Sequence, residues 1–87
     1  MNIETSPRFR RSFGKVSDRI QKKAIERVRI FATSDGRDPR LGTHKLHGKQ
    51  DSEWSFSVDY SYRITFIFSD NGSVLLLDIG THDELYC

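Results

Sequence analysis

At 87 residues the chain is long enough for one compact domain, residues 1–87, and too short for two. A single cysteine rules out an internal disulfide, no segment approaches the roughly 20 apolar residues of a membrane span, and no cysteine–histidine spacing is typical of zinc, so we expect a cytoplasmic protein without metal or cofactor. The net charge of +2 hides a division: residues 1–50 have 13 Lys and Arg against 5 Asp and Glu (+8), and residues 51–87 have 1 against 7 (−6).

The first residues predict a short strand followed by a helix. Residues 2–5 can form the strand. Ser6 followed by Pro7 is typical of a helix start, with serine as N-cap and proline at the first helical position. This helix is expected to run to about Phe13 and to stop at Gly14, because glycine weakens helical structure.

A second, longer helix is predicted to begin at Ser17 and Asp18. Its apolar residues recur at helical spacing and form one stripe: Ile20, Ala24, Ile25, Val28, Phe31 and Ala32. Lysine and arginine occupy much of the remaining surface. The two helices are therefore expected to form an antiparallel hairpin with a basic exterior, which either binds a polyanion or is a solvated helix face. The composition of residues 33–42 predicts a loop.

From residue 44 onward the apolar period changes from 3.6 to 2, which predicts β-strands. Apolar and polar residues alternate over 54–58 and again over 62–68. Residues 74–77 form a continuous apolar run, as expected for a central strand that is buried on both faces.

Short connections between these strands predict an antiparallel meander. Asn71-Gly72 is a strong hairpin signal and residues 59–61 are a weaker one. Gly80 is expected to end the last strand, and residues 83–86 to form a helical turn. The predicted fold is α+β: an N-terminal helical hairpin packed on one face of a curled, mainly antiparallel sheet, with the opposite face left open.

Three histidines and one arginine could carry chemistry. His44 and His47 precede the strands, His82 follows them, and Arg63 is the lone basic residue of the second half. Histidine exchanges protons near neutral pH, and a guanidinium contacts phosphate oxygens in a bidentate way. These groups suit RNA cleavage, in which the ribose 2′-hydroxyl loses a proton, the 5′-oxygen gains one, and the phosphorane needs a fixed cation.

Each of these residues also has a structural alternative, which is weakest for His82 because this residue follows a glycine turn beyond the last strand, where packing demands little. His47 could be an exposed loop residue, and His44 a hydrogen-bonding group of the scaffold. Arg63 could form an ion pair with Asp59 or Asp78. The aromatic residues at positions 54 and 86 could belong to the core or its rim.

Three stretches together resemble a known family: H-K-L-H-G-K at 44–49, W-S-F-S-V-D-Y-S-Y-R-I at 54–64, and L-L-D-I-G-T-H-D-E-L-Y at 76–86. They resemble the RelE/ParE superfamily of bacterial and archaeal toxins, and within it the YafQ- and RelE-like mRNA interferases. The resemblance implies a microbial-RNase-like fold, metal-independent cleavage of mRNA in the ribosomal A site, and neutralisation by a cognate antitoxin in a toxin–antitoxin hetero-oligomer.

The resemblance also implies roles for four residues. His44, in the H-x-L-x-G element, is the expected general base or phosphate contact, and His82 the expected proton-transfer histidine. Tyr86 is expected to be catalytic or to stack on a base, and Arg63 to support the transition state. Substrate-binding residues are expected beside them: Lys45, His47, Lys49 and Trp54.

The chain departs from the pattern of the family that it resembles at several of these positions. A further histidine and an aspartate of YafQ fall on Ser57 and Ser61, and two lysines of RelE fall on Trp54 and Phe56. The predicted site is therefore a hybrid in which His47 or the carboxylate at position 59 could take over a role.

Two further functions compete with the ribosome-dependent nuclease. One is a ParE-like toxin that poisons DNA gyrase and cleaves nothing. The other is an inactive relic that binds antitoxin as an autoregulatory module. The acid–base residues favour the nuclease, because a protein-binding poison has no need of them.

Overall fold

The computed structural model describes residues 1–46 and 52–86, which form three helices on a five-stranded sheet. The predicted α+β class is confirmed. In chain order the elements are β1 (Ile3–Thr5), α1 (Pro7–Lys15), α2 (Asp18–Ser34), a 3-10 turn (Pro39–Leu41), β2 (His44–Lys45), β3 (Trp54–Ser57), β4 (Tyr62–Phe68), β5 (Val74–Thr81) and α3 (His82–Tyr86).

The sheet has the strand order β1-β5-β4-β3-β2. The pairings β2–β3, β3–β4 and β4–β5 are antiparallel, and only β1 runs parallel to its neighbour β5. Both predicted turns are present, since residues 58–61 join β3 to β4 and Gly72, at φ 82°, lies in the turn before β5. The register of β4 on β5 shifts once, between Thr65 and Phe66.

Serine side chains begin both N-terminal helices. The Ser6 hydroxyl accepts from the Phe9 N–H and donates to the Leu77 carbonyl, so it also ties α1 to β5. The Ser17 hydroxyl accepts from the Ile20 N–H at the start of α2. These are the caps that the sequence predicts.

The predicted end of α1 is wrong by two residues. The helix passes through Gly14 to Lys15, because a helix interior tolerates a single glycine at a cost of about 1 kcal/mol. The predicted loop is also shorter than expected, since α2 extends to Ser34 and residues 39–41 form a 3-10 turn.

The core lies between the helices and one face of the sheet. The Phe31 ring of α2 stacks on Phe56 with centroids 4.8 Å apart and meets Phe66 edge-on at 4.9 Å. All three rings are fully buried. One residue of the predicted apolar stripe, Ile25, lies outside this core and is 46% exposed.

The expectation that the opposite face is open is wrong. Gly80 does not end β5 but pairs with Arg63 inside it, and the chain then folds back as α3. Helix α3 packs on β5 and β4, and Tyr86 reaches as far as β3. Ser55 and Thr65 are consequently buried on this second face.

None of the helices formed by residues 1–46 and 52–86 combines the length and apolar character that crossing a membrane requires.

Phe31→Ala should lower the free energy of unfolding by about 3–5 kcal/mol, because it empties a site enclosed by two other rings. The matched control is Phe68→Ala, at a ring that is 51% exposed, where we expect a loss of roughly 1 kcal/mol. Urea denaturation of both variants measures the difference. Equal losses would contradict the assignment of Phe31 to the core.

Candidate functional site

The Arg63 guanidinium is the centre of a polar cluster on the second face of the sheet. Its Nε donates to the Ser55 hydroxyl at 2.9 Å, and its Nη2 donates to the Gly42 carbonyl at 2.8 Å. The same Nη2 lies 3.2 Å from His44 Nδ1. The half-buried arginine is therefore fixed by three groups from different parts of the chain.

Strand register brings these groups together. His44 on β2 lies directly opposite Ser55 on β3, and Ser57, two residues further along β3, lies opposite Arg63 on β4. Directly opposite residues point to the same face of a sheet, and diagonal neighbours remain within reach of a long side chain. The guanidinium can therefore extend from β4 across β3 to β2.

Arg63 does not form the ion pair with Asp59 or Asp78 that was the structural alternative for it, because both carboxylates pair with other arginines. Asp59 lies 3.6 Å from Arg19, and Asp78 lies 3.2 Å from Arg8. Asp59 also accepts backbone N–H groups in the β3–β4 turn. These carboxylates stabilise the scaffold and leave the guanidinium to the polar cluster.

The 3-10 turn before β2 positions the Gly42 carbonyl. Asp38 caps this turn, and hydrogen bonds from the Arg40 side chain hold the pKa of the Asp38 carboxyl at about 2. Arg27 of α2 donates to the Arg40 carbonyl at 2.8 Å, which ties the turn to the helix layer. Gly42 ends the turn at φ 54°, a left-handed conformation that glycine adopts readily.

His44 is exposed and has two contacts at one nitrogen. Its Nδ1 lies 3.1 Å from the Gly42 carbonyl, which can only accept, and 3.2 Å from Arg63 Nη2, which can only donate. One tautomer satisfies the carbonyl and leaves Nε2 as a free base. The other accepts from Arg63 and leaves Nε2 as a proton donor.

Helix α3 supplies the remaining two predicted catalytic residues. The Tyr86 hydroxyl donates to the Ser55 hydroxyl at 2.9 Å. The His82 ring meets the Tyr86 ring edge-on, with centroids 4.4 Å apart, and its side chain is 74% exposed. The structure thus links all four predicted catalytic residues in one chain of contacts, in which Tyr86 and Ser55 join His82 to Arg63 and His44.

A capping box holds α3 in this place. The Thr81 N–H donates to Glu84 Oε1 at 2.8 Å, and the Glu84 N–H donates to the Thr81 hydroxyl at 3.3 Å. A Cβ on Gly80 would lie 3.1 Å from Glu84 Oε1, so the glycine lets α3 approach the strand closely.

The predicted substrate-binding residues are only partly placed. Lys45 and Trp54 lie opposite one another, one position away from His44 and Ser55, and therefore point to the helix side of the sheet. Trp54 stacks on the core residue Phe66 with centroids 6.5 Å apart, as a rim residue does. His47 and Lys49 lie outside the described residues.

Ser55 is the member of the cluster that sequence reasoning missed. The sequence pattern identifies it only as a polar position of an alternating strand. The structure buries it completely and gives its hydroxyl contacts with both Arg63 and Tyr86. No sequence signal distinguishes it from Ser57.

Within residues 1–46 and 52–86, no three histidine, cysteine, aspartate or glutamate side chains are grouped so that they could hold a metal ion.

Comparison with known proteins identifies the fold. No protein-family model and no curated protein matches the chain. Among solved structures, YafQ from E. coli strain BL21(DE3) matches with a TM-score of 0.79 at 14% identity, covering 99% of this chain and 98% of that one. The chain has the RelE/ParE toxin fold.

Two further structures with the RelE/ParE fold match over nearly their whole length. A YoeB/ParE toxin from Agrobacterium tumefaciens has a TM-score of 0.76 at 15% identity, covering 94% of this chain and 99% of that one. A chain of the RelBE2 toxin–antitoxin complex from Mycobacterium tuberculosis has a TM-score of 0.70 at 23% identity, covering 93% and 96%. The match to YafQ, which covers 99% of this chain, extends over the N-terminal helices, the sheet and α3.

Glu84→Ala should loosen α3, because it removes the acceptor of the Thr81 N–H and costs about 1 kcal/mol locally. Amide hydrogen exchange of Thr81 should become faster in this variant. The control is Asp83→Ala in the same turn, whose side chain is 95% exposed and which leaves both capping bonds intact. Equal exchange rates in the two variants would show that the capping box does not hold the helix.

Proposed function

We propose that this protein is the toxin of a type II toxin–antitoxin system and a ribosome-dependent, metal-independent endoribonuclease of the cytoplasm. One observation carries the proposal: a fixed guanidinium, two histidines and a phenol meet on one face of the sheet, although they come from β2, β4 and α3. The resemblance of the sequence to mRNA interferases and the RelE/ParE fold support it.

The cluster contains the group types that cleavage by the 2′-hydroxyl requires. A base takes the proton of the 2′-hydroxyl as that oxygen bonds to phosphorus. The bond from phosphorus to the 5′-oxygen breaks, and an acid protonates the departing oxygen. His44 and His82 are the proton-transfer groups of this scheme, and Arg63 stabilises the charge on the phosphorane. The products are a 2′,3′-cyclic phosphate and a 5′-hydroxyl.

The ribosome is proposed to present the message to this small site. The basic residues of α1 and α2 belong to the helix layer and make none of the hydrogen bonds that link Arg63, Ser55, His44 and Tyr86. They are available for contacts with ribosomal RNA, whose strength falls with salt as counterions are released. Orientation of the mRNA by the ribosome would supply geometry that 87 residues do not provide.

A cognate antitoxin is the proposed protein partner. An apolar groove of about 580 Å³ lies on the helix side, between β1, α1 and α2. Phe9, Phe13, Ile25 and Val28 are among its lining residues, and Arg29 adds a positive charge. An amphipathic segment with acidic residues at its edges fits such a groove. The RelBE2 relative is itself a toxin–antitoxin complex.

Tyr86→Phe should reduce cleavage of ribosome-bound mRNA, and His82→Ala should reduce it by about 10²-fold or more. The matched control is Tyr60→Phe, which deletes the same hydroxyl from a fully exposed residue. Primer extension on programmed ribosomes, with analysis of the new RNA ends, measures the effect. Intact mRNA together with accumulating gyrase–DNA adducts would instead establish the ParE-like activity.

Ile25→Asp should raise the Kd for the cognate antitoxin by roughly tenfold or more, because it places a charge in the apolar groove. Cleavage of mRNA by the free toxin should not change. Tyr60→Asp, at an exposed site in the β3–β4 turn, is the control and should bind as the wild type does. Unchanged binding by Ile25→Asp, measured by calorimetry, would exclude this groove.

A further inference from the structure

The hydroxyl of Ser55 links the side chains of Arg63 and Tyr86. Its Oγ lies 2.9 Å from Arg63 Nε and 2.9 Å from the Tyr86 hydroxyl. An arginine Nε can only donate, so the serine oxygen accepts from it, and the same oxygen accepts from the Tyr86 hydroxyl. Arg63 is the centre of the sheet site, and Tyr86 comes from the last helix.

Ser55 lies at a position from which its hydroxyl reaches both Arg63 and Tyr86. It lies on β3 between His44 of β2 and Thr65 of β4, and its side chain is completely buried. A buried hydroxyl without partners would destabilise the fold, whereas here both contacts are charged or polar.

We propose that Ser55 is the positioning residue of this site: its hydroxyl sets the guanidinium of Arg63 and the phenol of Tyr86 in one fixed relative orientation, so that both act on the same phosphate. The inference rests on the proposed nuclease function and assigns a residue that the resemblance does not supply. Ser55 itself touches no reacting atom. Its effect comes from removing the freedom of two groups that must meet the phosphorane together.

The kinetic test compares three serine variants on programmed ribosomes. Ser55→Ala should lower kcat by about 10–10²-fold with little change in KM, because misplaced groups mainly lose transition-state interactions. Ser55→Thr, which keeps the hydroxyl, should recover most of this loss. The control is Ser73→Ala, which deletes another buried serine hydroxyl, in the turn immediately before β5. A wild-type kcat in Ser55→Ala would overturn the proposal.

A double-mutant cycle between Ser55 and Tyr86 distinguishes a positioning role of Ser55 from a purely structural one. If Ser55 holds Tyr86 in place, Tyr86→Phe should cost much less activity in the Ser55→Ala background than in the wild type. A merely structural serine would lower the melting temperature and leave the two effects additive. Additive effects would therefore overturn the proposal, even where Ser55→Ala alone is less active.

A spectroscopic arm does not depend on RNA cleavage. The Arg63 Nε–H should give a slowly exchanging NMR signal in the wild type and in Ser73→Ala, and should exchange faster in Ser55→Ala. If the wild type cleaves no mRNA, the proposed nuclease function fails, whereas this signal still tests what Ser55 holds. Equal protection in wild type and Ser55→Ala would show that the hydroxyl does not fix the guanidinium.

Discussion

Packing of the Phe31 ring between Phe56 and Phe66 commits one face of the sheet to the helices. Successive side chains of a strand point to opposite faces, so the strand residues on either side of Phe56 and Phe66 point away from the helices. Ser55 and Ser57 flank Phe56 in this way. The aromatic core therefore decides which residues form the polar face on which the candidate site is built.

The polar face is stable because its buried groups have partners. A buried serine and a half-buried arginine would each cost free energy if they were left without hydrogen bonds. Here Arg63 donates to a hydroxyl and to a carbonyl, and the hydroxyl also meets Tyr86. Helix α3 thus contributes Tyr86 to the candidate site and also covers the buried Ser55 and Thr65 of the polar face. The same arrangement excludes solvent from beneath the guanidinium while His82 stays exposed.

Four residues of the candidate site could be predicted from the sequence, whereas one could not and others were misplaced. His44, Arg63, His82 and Tyr86 came from a resemblance of short stretches, and the structure places them in one chain of contacts. Ser55 could not be found in this way, because an alternating strand requires a polar residue there whatever its role. Lys45 is adjacent to His44 in sequence and was expected beside it in the site. Its side chain points to the other face, because a shift of one residue along a strand reverses the direction of a side chain.

The sequence by itself determined the elements: the serine caps of α1 and α2, the apolar stripe with Phe31, the alternating strands and the turn at Gly72 are all local patterns with local causes. The ends predicted at glycines were wrong, since Gly14 lies inside α1 and Gly80 inside β5. Only the tertiary structure decided that α3 covers the second face and that Arg63 bonds to Ser55 rather than to a carboxylate. Those outcomes depend on strand register and on the close approach of residues far apart in the chain, and local periodicity contains neither.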